Sequence, residues 1–155
     1  MNKPAESSVL AELKRLADAF FDAVSFKVGE KPAYSKISAL FIESGLLIKN
    51  IGPVPEISST EQFIRPRQAA VDAGELTRFH EAEIAETTEV FGRVAQRFSS
   101  YTKSGVLNGV AFEARGMIST QFILTPEGWR MTSMAWDDEK PGLEIPALFG
   151  FKGAK

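Results

Sequence analysis

The chain has 155 residues, with 18 basic and 20 acidic side chains, a net charge of −2, one histidine and no cysteine. A single domain of this length buries roughly 68–70% of the surface its unfolded chain exposes, so it needs no covalent staple. The composition excludes disulfides, thiolate nucleophiles and cysteine metal sites, and the balanced charge supplies no field for nucleic acid or anionic lipid; neither metal nor cofactor is expected.

Val9, Leu10, Leu13, Leu16, Ala17, Phe20, Phe21 and Val24 recur at three- and four-residue steps, the stripe of an amphipathic helix that Ser7 or Ser8 can cap. Glu6, Glu12, Lys14, Arg15 and Asp18 interrupt the apolar run that a signal peptide or membrane span requires, so a cytoplasmic location and no membrane partner are expected. Gly29 closes the segment, and Pro32 suits the first turn of a second short helix carrying Ile37, Leu40 and Phe41 inward and stopping at Gly45. Leu46 to Ile51 reads as a short strand, broken by Gly52, Pro53 and Pro55. Ser58-Ser59-Thr60-Glu61 has the pattern of a capping box, starting a third helix that ends around Gly74, with a kink or break expected at Pro66.

Residues 77 to 91, TRFHEAEIAETTEVF, are ambiguous by pattern: glutamates and alanines favour helix, whereas Ile84, Thr87, Thr88, Val90 and Phe91 favour strand. Beyond them FGRVAQRFSSY, EARGMISTQF and GWRMTSMAWDDE alternate as strands do, separated by a polar loop from Lys103 to Gly109 and a hairpin turn at Thr125-Pro126-Glu127-Gly128. Asp137-Asp138-Glu139, Pro141, Gly142 and Pro146 mark a terminal tail. Alternating runs after a helical half predict an α+β domain, helices on one face of an antiparallel sheet, with a core over about 7–140 and a tail over 141–155.

FGRVAQRFSSY, ARGMISTQF and GWRMTSMAWDDEKPGLEIP, with Phe91-Gly92, Arg115-Gly116, Trp129 and Trp136 in order, resemble a bacterial branch of the nuclear-transport-factor-2-like superfamily, SnoaL-like and ketosteroid-isomerase-like proteins among them. The resemblance covers most of the chain. It implies a cystatin-like α+β roll: a strongly curved antiparallel sheet wrapped as a cone around about three helices, with a pocket at the open end. It also implies a homodimer through the outer sheet face, and it supports reading 77–91 as strand. In isomerase- and cyclase-like relatives a carboxylate often sits on the short strand after helix two. Here that strand reads LLIKNI, with Lys49 and Asn50 in the region, so their acid–base mechanism does not carry over.

His80 is the only side chain whose unperturbed pKa lies near neutrality and is a candidate base, set against a structural role. On a strand it and Glu81 point to opposite faces, so only one enters a pocket. Lys49 is the second catalytic candidate, as an amine for carbonyl chemistry, against simple solvent exposure. Arg115, Ser119 and Gln121 share parity, so Arg115 and Gln121 either orient a ligand carboxylate or carbonyl, or sit at a polar dimer interface. Tyr34, Tyr101 and Trp136 are amphipathic aromatics suited to line a pocket. The series Glu81, Glu83, Glu86, Glu89 with Arg93 and Arg97 reads as exposed ion pairing. Two functional readings follow: a pocket for a small, largely apolar ligand, with a lyase, isomerase or hydrolase step, or a non-catalytic dimerisation or protein-interaction module whose pocket its own side chains fill.

Overall fold

The structure, a computed structural model, describes residues 3–150. Helix α1 spans Lys3–Val24 and buries Leu13, Leu16, Phe20 and Val24. Ser7 and Ser8 lie inside the helix, not at its cap. It ends where Ser25 Oγ donates to the Phe21 carbonyl at 2.7 Å and Phe26 exchanges backbone hydrogen bonds with Phe79 at 2.8 and 3.1 Å. A helix terminus is thereby tied to the edge of a sheet, before Gly29 is reached.

The expected second helix is replaced by two single 3₁₀ turns, Tyr34–Lys36 and Ser38–Leu40, and strand β1 runs Phe41–Lys49 straight through Gly45. The reason is tertiary: Phe41 and Leu47 are buried opposite Met131 and Met134, and a strand pairing satisfies the backbone there better than an isolated helical turn. β2, Glu56–Ser58, adds a short antiparallel edge.

Helix α2 covers Thr60–Asp72, and its capping box is Ser59 with Gln62, one residue later than Ser58 with Glu61. The Gln62 amide donates to Ser59 Oγ at 3.1 Å and Ser59 N donates to Gln62 Oε1 at 2.9 Å. The helix continues unbroken past Pro66 and stops before Gly74, whose φ of 74° no helical residue adopts.

Four long strands complete the sheet: β3 Leu76–Phe91, β4 Val94–Leu107, β5 Val110–Thr125 and β6 Gly128–Asp138. Residues 77–91 are strand. The loop expected from Lys103 is instead the last turn-free stretch of β4, because β3 and β5 flank it and take its hydrogen bonds on both sides. Only Asn108 and Gly109 remain as turn, with φ of 52° and 77°, the left-handed pair that a tight hairpin demands. The order is β2-β1-β6-β5-β4-β3, antiparallel except for the parallel β1–β6 pair. Register shifts between Glu83 and Ala85 and between Gln121 and Phe122 add twist and bend, curving the sheet around α1.

The inner face carries Ile118, Thr120, Phe122, Met131 and Met134 against Leu13, Leu16 and Phe20. After β6 the chain folds back over the outer face: Phe149 is buried with its ring 5.4 Å from that of Phe98, and Ser100 Oγ donates to the Phe149 carbonyl at 2.7 Å. Residues 151–155 of the tail lie outside the described residues. Among the described residues no helix is long and apolar enough to cross a membrane.

Candidate functional site

Between the concave face, α1 and α2 lies a cavity of about 680 Å³, within the range of small-molecule sites. Its apolar wall includes Phe20, Phe63 and Trp136, whose rings follow one another with centroids 6.1 and 6.2 Å apart, the first pair tilted and the second edge-on. Lys49, Glu56, Arg67, Glu81, Lys103, Glu113 and Asp138 supply its charged groups. A smaller hollow of about 400 Å³ lies beneath the tail on the outer face. Of its acids, Asp137 is engaged by Lys140 at 2.8 Å and Glu139 by Arg115 at 2.5 Å and the Ile145 amide at 2.7 Å, while Glu144 is solvent-exposed. The inner cavity is where an unengaged acid is walled in by protein.

Glu81 is the group of most consequence. Its backbone is clamped to the end of α1, the amide donating to Ser25 Oγ at 3.0 Å. Parity turns its side chain inward, directly across from Lys103 on β4. The carboxyl meets the cavity, partly reachable by water yet walled by protein, and has neither hydrogen bond nor ion pair to any described residue. Burial pushes its pKa up to about 7; Asp138 pushes the same way, while Lys103 and Arg67 oppose.

Beside it Asp138 Oδ1 accepts from the Tyr101 hydroxyl at 2.5 Å and pairs with Lys103 Nζ at 3.0 Å. Burial first, and then the Asp138 bond, raise the Tyr101 pKa, so the phenol stays a donor. The contact exists because Gly116 lies between: a Cβ there would meet the Asp137 carbonyl oxygen at 2.1 Å and the Tyr101 hydroxyl at 2.5 Å. Three strands thus place an acid, a cation and a carboxylate around one end of the cavity.

No protein-family model and no curated protein matches the chain. Solved structures do. A nuclear-transport-factor-2-like protein from Salmonella enterica superposes with a TM-score of 0.72 at 15% identity, covering 94% of this chain and 99% of its own. One with a cystatin-like fold from Novosphingobium aromaticivorans gives 0.66 at 15%, covering 95% and 90%. A candidate dehydratase of the same family from Streptomyces avermitilis gives 0.65 at 14%, covering 88% and 99%. The chain has the nuclear-transport-factor-2-like fold.

Within that cone the residues singled out by sequence scatter. Tyr34 and Trp136 line the cavity, Tyr34 fully buried and Trp136 set edge-on to Phe63. Lys49 also lines it, but 43% exposed and 3.9 Å from Glu56. Tyr101 stands behind the lining and acts through Asp138. His80 is a correction: it is exposed, and the inward member of the neighbouring pair is Glu81. Arg115 and Gln121 are corrections too, because the even-numbered residues of β5 are the buried set. Arg115 is held at Glu139, and Gln121 points the other way from the cavity, beside Ser119 at 3.5 Å.

The glutamate series splits. Glu83 is not exposed: its carboxylate takes two bonds from Arg97, at 2.9 and 2.6 Å, and one from Ser99 Oγ at 2.7 Å, sealed at 12% exposure beneath α1. Glu81, Lys103, Asp138 and Arg67 were not proposed as site residues from the sequence. The available signal was the opposition of His80 and Glu81 on a strand, which leaves the face undecided without the register.

Proposed function

We propose that the cavity binds a small, largely apolar carbonyl compound and that Glu81 moves a proton on it. One observation carries this reading: a carboxyl group without a hydrogen-bond or ion-pair partner among the described residues, aimed into a hollow large enough for a ligand, with a pKa pushed up to about 7. Ionised Glu81 would take the proton from a carbon next to the carbonyl. The C–H electron pair becomes the enolate, and its negative oxygen is stabilised by the Lys103 ammonium across the strand pair. Returning the proton to another carbon isomerises the molecule; handing it to a departing hydroxyl eliminates water. The similarity to a candidate dehydratase agrees with the second outcome. Asp138, held by Tyr101 and Lys103, positions that lysine. The alternative of a self-filled interaction module is less favoured, since Phe20, Phe63 and Trp136 line the wall and leave about 680 Å³ open.

The test is solvent exchange. Apolar cyclic ketones incubated with the protein in deuterated buffer should lose their α-proton NMR signals, and Glu81→Gln should abolish the loss while retaining the ligand-induced rise in melting temperature. Exchange that survives Glu81→Gln removes this residue from the chemistry.

A further inference from the structure

The charges around the cavity do not cancel pairwise. Lys103 is matched by Asp138 at 3.0 Å, and Lys49 faces Glu56 at 3.9 Å. Arg67 on α2 has no carboxylate within ion-pair distance among the described residues, though it lines the cavity. One of its nitrogens donates to the Phe63 carbonyl of its own helix at 2.9 Å, and its guanidinium lies over the Phe63 ring, 3.7 Å from the centroid. These two contacts pin the fork and leave its other donors without an acceptor among the described residues. Retaining a guanidinium in a largely enclosed place without a counter-ion is costly.

We infer that Arg67 is the docking point for a ligand carboxylate, so that the molecule taken up is an apolar carboxylic acid whose anion the arginine fork holds. This rests on the reading of the cavity as a small-molecule site and names the substrate class. Arginine matches a carboxylate with two parallel hydrogen bonds, and the stacked ring beneath it fixes the plane in which they form. The apolar remainder of the ligand lies along Phe20, Phe63 and Trp136.

A proton accompanies the anion. The charged groups facing Glu81 are Lys103 on β4, Asp138 on β6 and Arg67 on α2, with Lys49 on β1, Glu56 on β2 and the exposed Glu113 on β5 in the same lining and Tyr34 and Tyr101 uncharged beside them. With Lys103 matched by Asp138 and Lys49 facing Glu56, Arg67 is the cation of this lining without an ion-pair partner among the described residues, and ionised Glu81 partly offsets it. An anion therefore binds the protonated form more tightly, and the complex must lose that proton before Glu81 can act as base, so turnover requires a higher pH than binding. Where only that form is competent, apparent affinity falls with its fraction, about tenfold between pH 6 and pH 8 for a group titrating near 7.

The experiment compares 2-naphthoate and biphenyl-4-carboxylate with their primary amides by isothermal titration on the wild-type chain at pH 6 and pH 8. The acids should bind at least about tenfold tighter than the amides at pH 6, converge toward them at pH 8, and take up most of a proton on binding at pH 8 but little at pH 6. Arg67→Met should reduce acids to amide level, with Arg67→Lys intermediate, and Glu81→Gln should remove the pH dependence; melting curves establish that each variant is folded. Acids and amides binding alike overturns the anion site and leaves the small-molecule cavity standing. Neither binding overturns both. Acid preference unaltered in folded Arg67→Met removes Arg67 from the role.

Discussion

Glu81 and Glu83 stand two residues apart on the same face of β3, and the protein treats them in opposite ways. Glu83 is sealed under α1 and fully engaged: Arg97 and Ser99 satisfy its oxygens, and Arg97 also donates to Thr88 at 2.9 Å. Glu81, where α1 has ended and α2 has not closed over, faces a hollow and has no side-chain partner among the described residues. A satisfied buried charge holds parts of a fold in register. An unsatisfied one is tolerated only where something else is gained, and a ligand site is the usual gain. Position along one strand, relative to the ends of two helices, separates a structural carboxylate from a chemical one.

The largest effect should come from breaking the sealed side. Glu83→Ala leaves Arg97 buried without its main counter-charge and should cost about 3–5 kcal/mol of stability in urea unfolding. Gly116→Ala strikes the boundary between the regions, where the added methyl meets backbone and phenol together. It should cost about 1–3 kcal/mol and displace Tyr101 from Asp138, visible in the tyrosine ultraviolet spectrum.

On the open side the sign reverses. The folded pKa of Glu81 lies above its ordinary value of 4.5, near 7, so the native state binds more protons than the unfolded chain between those values. Its contribution is therefore lost as pH rises from about 4.5 to 7 and stays lost above. Glu81→Gln should stabilise the protein at pH 8 by about 1–2 kcal/mol, allowing for screening by water in the cavity, and leave it unchanged near pH 4. Thermal melts at both pH values check this. Smallest of all, Arg65→Ala removes an exposed partner of Glu61 on α2 and should shift stability by no more than about 0.5 kcal/mol.

The architecture was legible where period speaks: the α1 stripe, the alternation of β5 and β6, and the Thr125–Gly128 hairpin all follow from side-chain spacing. It blurred where tertiary pairing overrides composition. Phe41 looks helical until a parallel neighbour claims it, and Lys103 to Leu107 looks like loop until strands bond it from both sides. β3 resists pattern reading because its inner face carries glutamates where a core strand would carry apolar residues. For the site, parity grouped Arg115 with Gln121 and opposed His80 to Glu81. The inward face, however, is set by Ser25 holding the Glu81 backbone and by the register shift after Glu83, both long-range features. Arg67 left no trace in the sequence, since a lone arginine on an amphipathic helix looks like any solvated one.

The account turns on the ionisation of one side chain. Carbon-13 NMR titration of the glutamate carboxyls, with the Glu81 signal assigned through Glu81→Gln, measures it directly. A midpoint near pH 7 that moves upward when an apolar carboxylate is added is the predicted result. A midpoint at the ordinary 4.5, unmoved by ligand, would contradict the assignment of Glu81 as an unpartnered acid in the cavity.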